Sequence, residues 1–548
     1  MSSGLVVWVL LAPLLGAVAA LFGKLLKPLG RRLSLLGAAS LAVPVVVLVV
    51  LLDSVLAGKS LLYSLGGWPE PYGIALVMDG ISWISCALTT VIAVAVALFS
   101  LGRRKYGPAY YFFLLTMVTG MYGVALTGDL FTMFVSFEVV AVSAYVLIAW
   151  EGSATGLAAS YKYLVLSTTG ILFFLFGVFL VYRDLGILSI SGISDALAAS
   201  GGVLNNHSMH LALASLCVGI GVRTAFIPFH TWLPEAHAYA PHPISAVLSG
   251  AMIKISLFAM IRIIIQFGGG YLLELLMWIG AVTALAAVIS ALSQSDVKRL
   301  LAYHSISQLG YMLAVFGAGS ALALTASFSH ALNHALFKSL LFLTVGVAVS
   351  LTGQRDVYRI PPLGRRLPLI SLAFFAGALS ISGIPPFNGF ASKALITAGM
   401  KGSPAYPLLW ATSFLTIASF IKLGRIFLPG PAGTVELKER NAPGALQTWV
   451  VSVLALLCLG TGLFGRAVAS GLYRLLHGAV PVSLPRIFAA GKLLGVLPLA
   501  ALGAGAFMMV STDFGRSVSG RVKALAPELR TVLLFFFVGL LAFAAVAY

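Results

Sequence analysis

"GIPPFNGFASK", residues Gly383 to Lys393, interrupts a strongly apolar stretch with two adjacent prolines and then places a lysine in it. Proline inside a helix removes a backbone hydrogen bond and clashes with the preceding turn. Irregular backbone at membrane depth survives only where protein or a water-filled cavity satisfies the freed groups. The stretch therefore predicts a membrane helix broken for a purpose, and the rest of the chain agrees. Of 548 residues 60% are hydrophobic and 9% charged, with a mean hydropathy of +1.03, far outside the range of soluble domains. Apolar runs of about 20 residues, enough to cross about 30 Å of hydrocarbon, recur throughout. They are read as sixteen spans, near 5–22, 34–52, 80–102, 109–127, 130–150, 162–182, 211–232, 243–267, 271–293, 299–318, 322–350, 368–400, 405–428, 445–465, 490–511 and 531–548.

A formal charge of +18 would suit a nucleic-acid binder if it lay on one face, but the basic residues fall in alternate loops. Twenty Lys and Arg follow odd-numbered spans, among them Arg103 to Lys105 and Arg355 to Arg366, against seven in the other loops. The positive-inside rule then puts the odd loops in the cytoplasm and both termini outside, with a prokaryotic cytoplasmic membrane as the location. The first span has neither a basic leading region nor a small-residue cleavage site, so it is expected to be retained. Cys86, Cys217 and Cys458 all lie in apolar spans without a CxxC pair, and no Walker A or GxGxxG stretch occurs. The chain is expected to hold no cofactor or metal of its own and no catalytic redox centre.

A second interruption, "FIPFHTWLPEAHAYAPHP" at residues 226 to 243, repeats the Pro-Phe pair of the first, since 386 − 228 = 158. Each break is fourth in a block of five spans, which gives residues 1–108 as leading helices, 109–267 and 268–428 as two repeats, and 429–548 as helix 14 with a C-terminal extension. An odd number of helices per block would face the two copies opposite ways, an inverted repeat of the kind transporters use. Unrelated proline kinks that tune packing are the alternative.

Charge near the bilayer centre costs at least about 2.5 kcal/mol and asks for a compensating use. Glu138 and Lys254 lie near the middle of their spans, Arg223 precedes the first break and Lys393 follows the second. In "ASFSHALNHALFKSLLFL", His330, His334 and Lys338 recur every four residues and line one helix face. His-xxx-His can hold zinc, but the next residue on this face is a lysine and no carboxylate is near in sequence. A structural histidine cluster and a hydrated proton path both remain open. Acid, lysine and histidine side chains joined by water can pass protons when burial and neighbouring charges bring their proton affinities toward neutrality. Taken singly, each could instead be a structural ion-pair member.

The segments "RTAFIPFHTWLPEAHAYAPHPISAVLSGAMIK", "SDVKRLLAYHSISQLGY", "FSHALNHALFKSLLFLTVG" and "GIPPFNGFASKALI", with "YSLGGWPEPYGIALVMDGIS" and "FVSFEVVAVSAYVLIAW", span roughly residues 60 to 430. They resemble the antiporter-like, proton-conducting subunits of respiratory complex I, Mrp-type cation/proton antiporters and the membrane-bound hydrogenase group. The resemblance implies an all-α fold of about 14 core transmembrane helices with two inverted five-helix repeats, here followed by about two more helices. It implies a proton-transfer row of Glu138, Arg223, His230, Lys254, His330, His334, Lys338 and Lys393, with Glu138 paired to a basic residue on the broken seventh helix. It also implies membrane-subunit partners, and redox partners carrying iron-sulfur clusters if the complex is redox-driven. An Mrp-type antiporter without redox chemistry and a non-conducting scaffold are the rival readings. One departure stands out. The family usually has lysine on the broken seventh helix, where this chain has Arg223, which holds its proton permanently and so can pair with Glu138 but cannot relay.

Overall fold

The computed structural model describes residues 3–68, 73–101, 103, 105–199, 207–430, 437–478, 484–524, 531, 534, 538–542 and 545. Twelve helices among them are long and apolar enough to cross a membrane, and the chain is a multi-pass membrane protein. Three further expected spans form helices that miss this criterion. His207–Thr224 and Val297–Phe316 carry charge, and the span at 368–400 is split into Pro368–Ser382 and Asn388–Gly399. The sixteenth, 531–548, lies largely outside the described residues.

Two sets of helices are terminated by the same chemistry at a constant interval. Asp129 caps Leu130–Ile148, accepting from Thr132 N at 2.7 Å. Asp296 caps Val297–Phe316, accepting from Lys298 N at 2.9 Å. Ala154–Leu185 and Ala321–Thr352 are both 32 residues long, start on capping serines Ser153 and Ser320 and end on left-handed glycines, Gly186 and Gly353, each at φ 69°. Such caps contribute about 1 kcal/mol each, and glycine enters the left-handed region without steric cost. Isolated bridges join Asp129 to Ser189 and Asp296 to Asp356. Each pair differs by 167 residues, as in 296 − 129 and 356 − 189.

Both sequence breaks interrupt helices. The first separates His207–Thr224 from Trp232–Tyr239, and the buried Trp232 closes it by donating Nε1 to the carbonyl of Val222 at 2.8 Å. The second separates Pro368–Ser382 from Asn388–Gly399, with Gly383 at φ 75°. Three elements are not foreseen by hydropathy. Strands Leu61–Ser64 and Ala75–Met78 pair antiparallel, Leu61 opposite Met78, ahead of the third span. Gly465–His477 is an amphipathic helix lying across the ends of its neighbours, where His477 Nε2 meets the carbonyl of Ala321 at 3.1 Å. In the C-terminal extension, Ala490–Ser511 packs on Tyr406–Gly424 and Asp513–Ala524 on Leu273–Ser293. Gly539 then comes so close to Phe229, at the first break, that a Cβ would meet its ring at 2.6 Å.

Candidate functional site

The row begins at an ion pair. Arg223, the next-to-last residue of His207–Thr224, donates Nη2 to Glu138 Oε1 at 2.7 Å and Nη1 to the carbonyl of Phe137 at 3.0 Å, with the Phe137 ring 5.1 Å beneath the guanidinium. Arg223 is 3% exposed and Glu138 35%, so the cation is enclosed while the carboxylate keeps an exposed side. Beside Arg223 a cavity of about 10 Å³, roughly the space of one water molecule, reaches Met252, Ile255 and Ser256 on the next helix.

That helix carries Lys254, fully buried. Ahead of it, Leu248–Met252 forms a π turn. Such a turn spaces its hydrogen bonds one residue wider than an α-helix and recurs at functional sites. The Lys254 ammonium donates to the carbonyl of Ser249 inside this turn, and Ser249 Oγ bonds Ser305 Oγ at 2.7 Å. Among the described residues no carboxylate pairs with Lys254.

Ala321–Thr352 brings the next members in. Lys338 donates to the carbonyl of Leu301 at 2.5 Å. His334 is fully buried with neither ring nitrogen hydrogen-bonded, within electrostatic reach of Lys254, Lys338, His330 and His304. His330 is held from both sides, Nε2 by Gln308 Oε1 at 3.0 Å and Nδ1 by Ser392 Oγ at 3.0 Å. Ser392 precedes Lys393, which donates to the carbonyl of Ile381 at 2.9 Å across the second break and lies over the Tyr311 ring at 5.5 Å. Lys393 also lines a cavity of about 270 Å³ that opens outward past Gly383.

Five of the eight expected residues, Lys254, His334, Lys338, His330 and Lys393, therefore lie within reach of one another, and the Glu138–Arg223 pair stands across the small cavity from the Lys254 helix. His230 stands apart, in a cavity of about 450 Å³ at the first break beside Tyr303 and the ion pair of Lys162 with Glu235 at 3.1 Å. Three buried groups join the expected ones. Among the described residues His237 and His304 find no hydrogen-bond partner at either ring nitrogen, and both lie within electrostatic reach of Lys338. Both stand in the segments that carry the family resemblance, but only the packing shows that they face the row. Arg262, two turns beyond Lys254, donates to Asp79 at 2.6 Å and to Ser82 Oγ at 2.9 Å. Among the described residues no three His, Cys, Asp or Glu side chains gather as a metal site.

Residues 127–421 match the family described as NADH:quinone oxidoreductase/Mrp antiporter, TM. NADH-quinone oxidoreductase subunit N of Desulforudis audaxviator is 32% identical over 508 residues, 88% of this chain and 99% of the relative. A Na(+)/H(+) antiporter subunit of Bacillus subtilis is 29% identical, over 83% of this chain and 93% of the relative. A chain of the Mrp complex from Dietzia superposes with a TM-score of 0.78 at 24% identity, over 90% of this chain and 99% of that one, which speaks to fold alone. A chain of an archaeal membrane-bound sulfane sulfur reductase superposes at 0.77 with 26% identity, over 91% and 99%.

Proposed function

We propose, for a chain that belongs to the NADH:quinone oxidoreductase/Mrp antiporter transmembrane family, that it translocates protons, alone or in exchange for sodium, as one membrane subunit of a larger complex. The observation that carries the reading is the buried cluster of Lys254, His334, Lys338, His330 and Lys393, with the Glu138–Arg223 pair across a small cavity from the Lys254 helix. Its lysines donate to backbone carbonyls. A buried ammonium that has only neutral acceptors can give up its proton without stranding a carboxylate. A purely structural network would pair its charges.

In this reading Arg223 keeps its proton and holds Glu138, Lys254 is the first carrier, the histidines and Lys338 connect, and Lys393 delivers to the cavity at the second break. His230 serves an access cavity rather than the row. Residues 109–267 and 268–428 are two inverted copies, a reading supported by the constant 167-residue interval of caps and bridges. The chain resides in a prokaryotic cytoplasmic membrane with its basic loops inside and both termini outside. The driving reaction belongs to partners. Iron-sulfur redox subunits fit the likeness to the quinone oxidoreductase relative and to the sulfane sulfur reductase chain, and the antiporter relative keeps a gradient-driven, Mrp-type assembly as the second reading.

The test is proton uptake into vesicles carrying the assembled complex. Lys254→Ala and Lys393→Ala should each abolish uptake with assembly intact, and unchanged uptake in both would sink the proposal. Subunits that copurify in gentle detergent separate the two assemblies.

A further inference from the structure

Away from the row, a cavity of about 410 Å³ opens on the side where the sequence places the cytoplasmic loops, between the turn after Gly80–Leu101 and the end of Ala321–Thr352. Its charged lining is Arg103, Lys105, Lys438 and Arg440 against one carboxylate, Glu151. Lys105 takes that carboxylate at 2.8 Å, so among the described residues Arg103, Lys438 and Arg440 make no ion pair. The walls are fixed. Arg103 Nη2 donates to the carbonyl of Asn441 at 2.7 Å, Asn441 Nδ2 donates to Ser350 O at 3.1 Å, and Lys438 N bonds Leu351 O at 2.7 Å. Partial burial pulls the Arg103 guanidinium below its ordinary pKa.

Three unpaired cations around one concavity repel hydronium and metal ions, so the pocket is a poor entrance to the row and a good seat for an anion. Arginine offers a phosphate group a planar fork and lysine a point charge. We propose that this pocket binds a phosphate group, held by Arg103, Lys438 and Arg440 and supplied either by an anionic phospholipid of the adjacent leaflet or by the aqueous phase. Arg103 is also part of the wall, so the test rests on Lys438→Gln and Arg440→Gln, whose side chains make no hydrogen bond or ion pair among the described residues.

The experiment is native mass spectrometry of the intact detergent-purified complex, wild type and double variant, titrated with phosphatidylglycerol and, separately, with inorganic phosphate. Wild type should bind phosphatidylglycerol about fivefold more tightly for each charge the variant lacks. Saturation by inorganic phosphate alone, lost in the variant, would assign the site to a soluble phosphate. Equal binding of both probes by wild type and variant would overturn the proposal. So would cross-linking of Lys438 to an acidic segment of a neighbouring subunit that fills the pocket.

Discussion

The two stretches proposed as repeats, residues 109–267 and 268–428, share helix caps and differ in their charges. Caps at Asp129 and Asp296, at Ser153 and Ser320, and bridges to Ser189 and Asp356 recur at one interval. Yet the residue 167 positions after Glu138 is Ser305, which bonds Ser249 rather than a cation. The first block therefore ends its row on a carboxylate clamped by an arginine. The second ends on Lys393, which donates to the carbonyl of Ile381 and, among the described residues, meets no carboxylate. Helix ends are dictated by backbone chemistry that any copy of the block needs, whereas the side chains at the breaks are free to diverge. A row with a fixed cation and an acid at one end and a bare lysine at the other is polar along its length, and that polarity can give transfer a direction.

The comparison can be broken where the blocks meet. Lys338→Ala removes the lysine that lies within reach of Lys254, His334 and His304 and should drop proton uptake to background in a complex that still assembles. The carboxylate end is sharpened by two variants at one position. Arg223→Lys should keep the contact with Glu138 and most of the transport. Arg223→Ala, leaving Glu138 a third exposed and unpartnered, should cost about 1–2 kcal/mol of stability and slow uptake by about tenfold. At the other end, His330→Ala loses its bonds to Gln308 and Ser392, each worth about 1 kcal/mol net. Uptake should fall several-fold while Lys393 stays in place. The smallest effect on transport is expected at Arg262→Leu. Breaking its pair with Asp79 should lower the thermal midpoint through a loss of about 1–3 kcal/mol and leave vesicle uptake unchanged, separating structural from conducting charge.

Much of this was legible in the sequence because it is local. Span positions follow from hydropathy, the breaks from Pro-Pro-Phe and Ile-Pro-Phe, and the face of His330, His334 and Lys338 from four-residue spacing. The 167-residue interval was also legible, in the capping Asp and Ser residues, though the Pro-Phe pairs alone give 158 and conceal it. What stayed hidden depends on distant partners. Arg262 and Asp79 lie 183 residues apart in sequence, and His237 and His304 look like ordinary helix histidines until their neighbours are placed. His230, which the resemblance places in the row, lines the cavity at the first break. The helix Gly465–His477 was overlooked because it lies across helix ends, so its apolar face is too short to read as a span.

The π turn at Leu248–Met252 has a consequence for angular phase. Successive residues of an α-helix advance by about 100°, so a turn holding one extra residue resets the azimuth of everything after it. Closing the turn to α geometry with all its residues kept would swing Lys254 about 100° around the axis, away from Ser249 and His334. Lys254 and Arg262, eight residues apart, would rotate together. Loss of the wide turn alone would thus strip the row of its first carrier and Asp79 of its partner while every residue remained in the sequence.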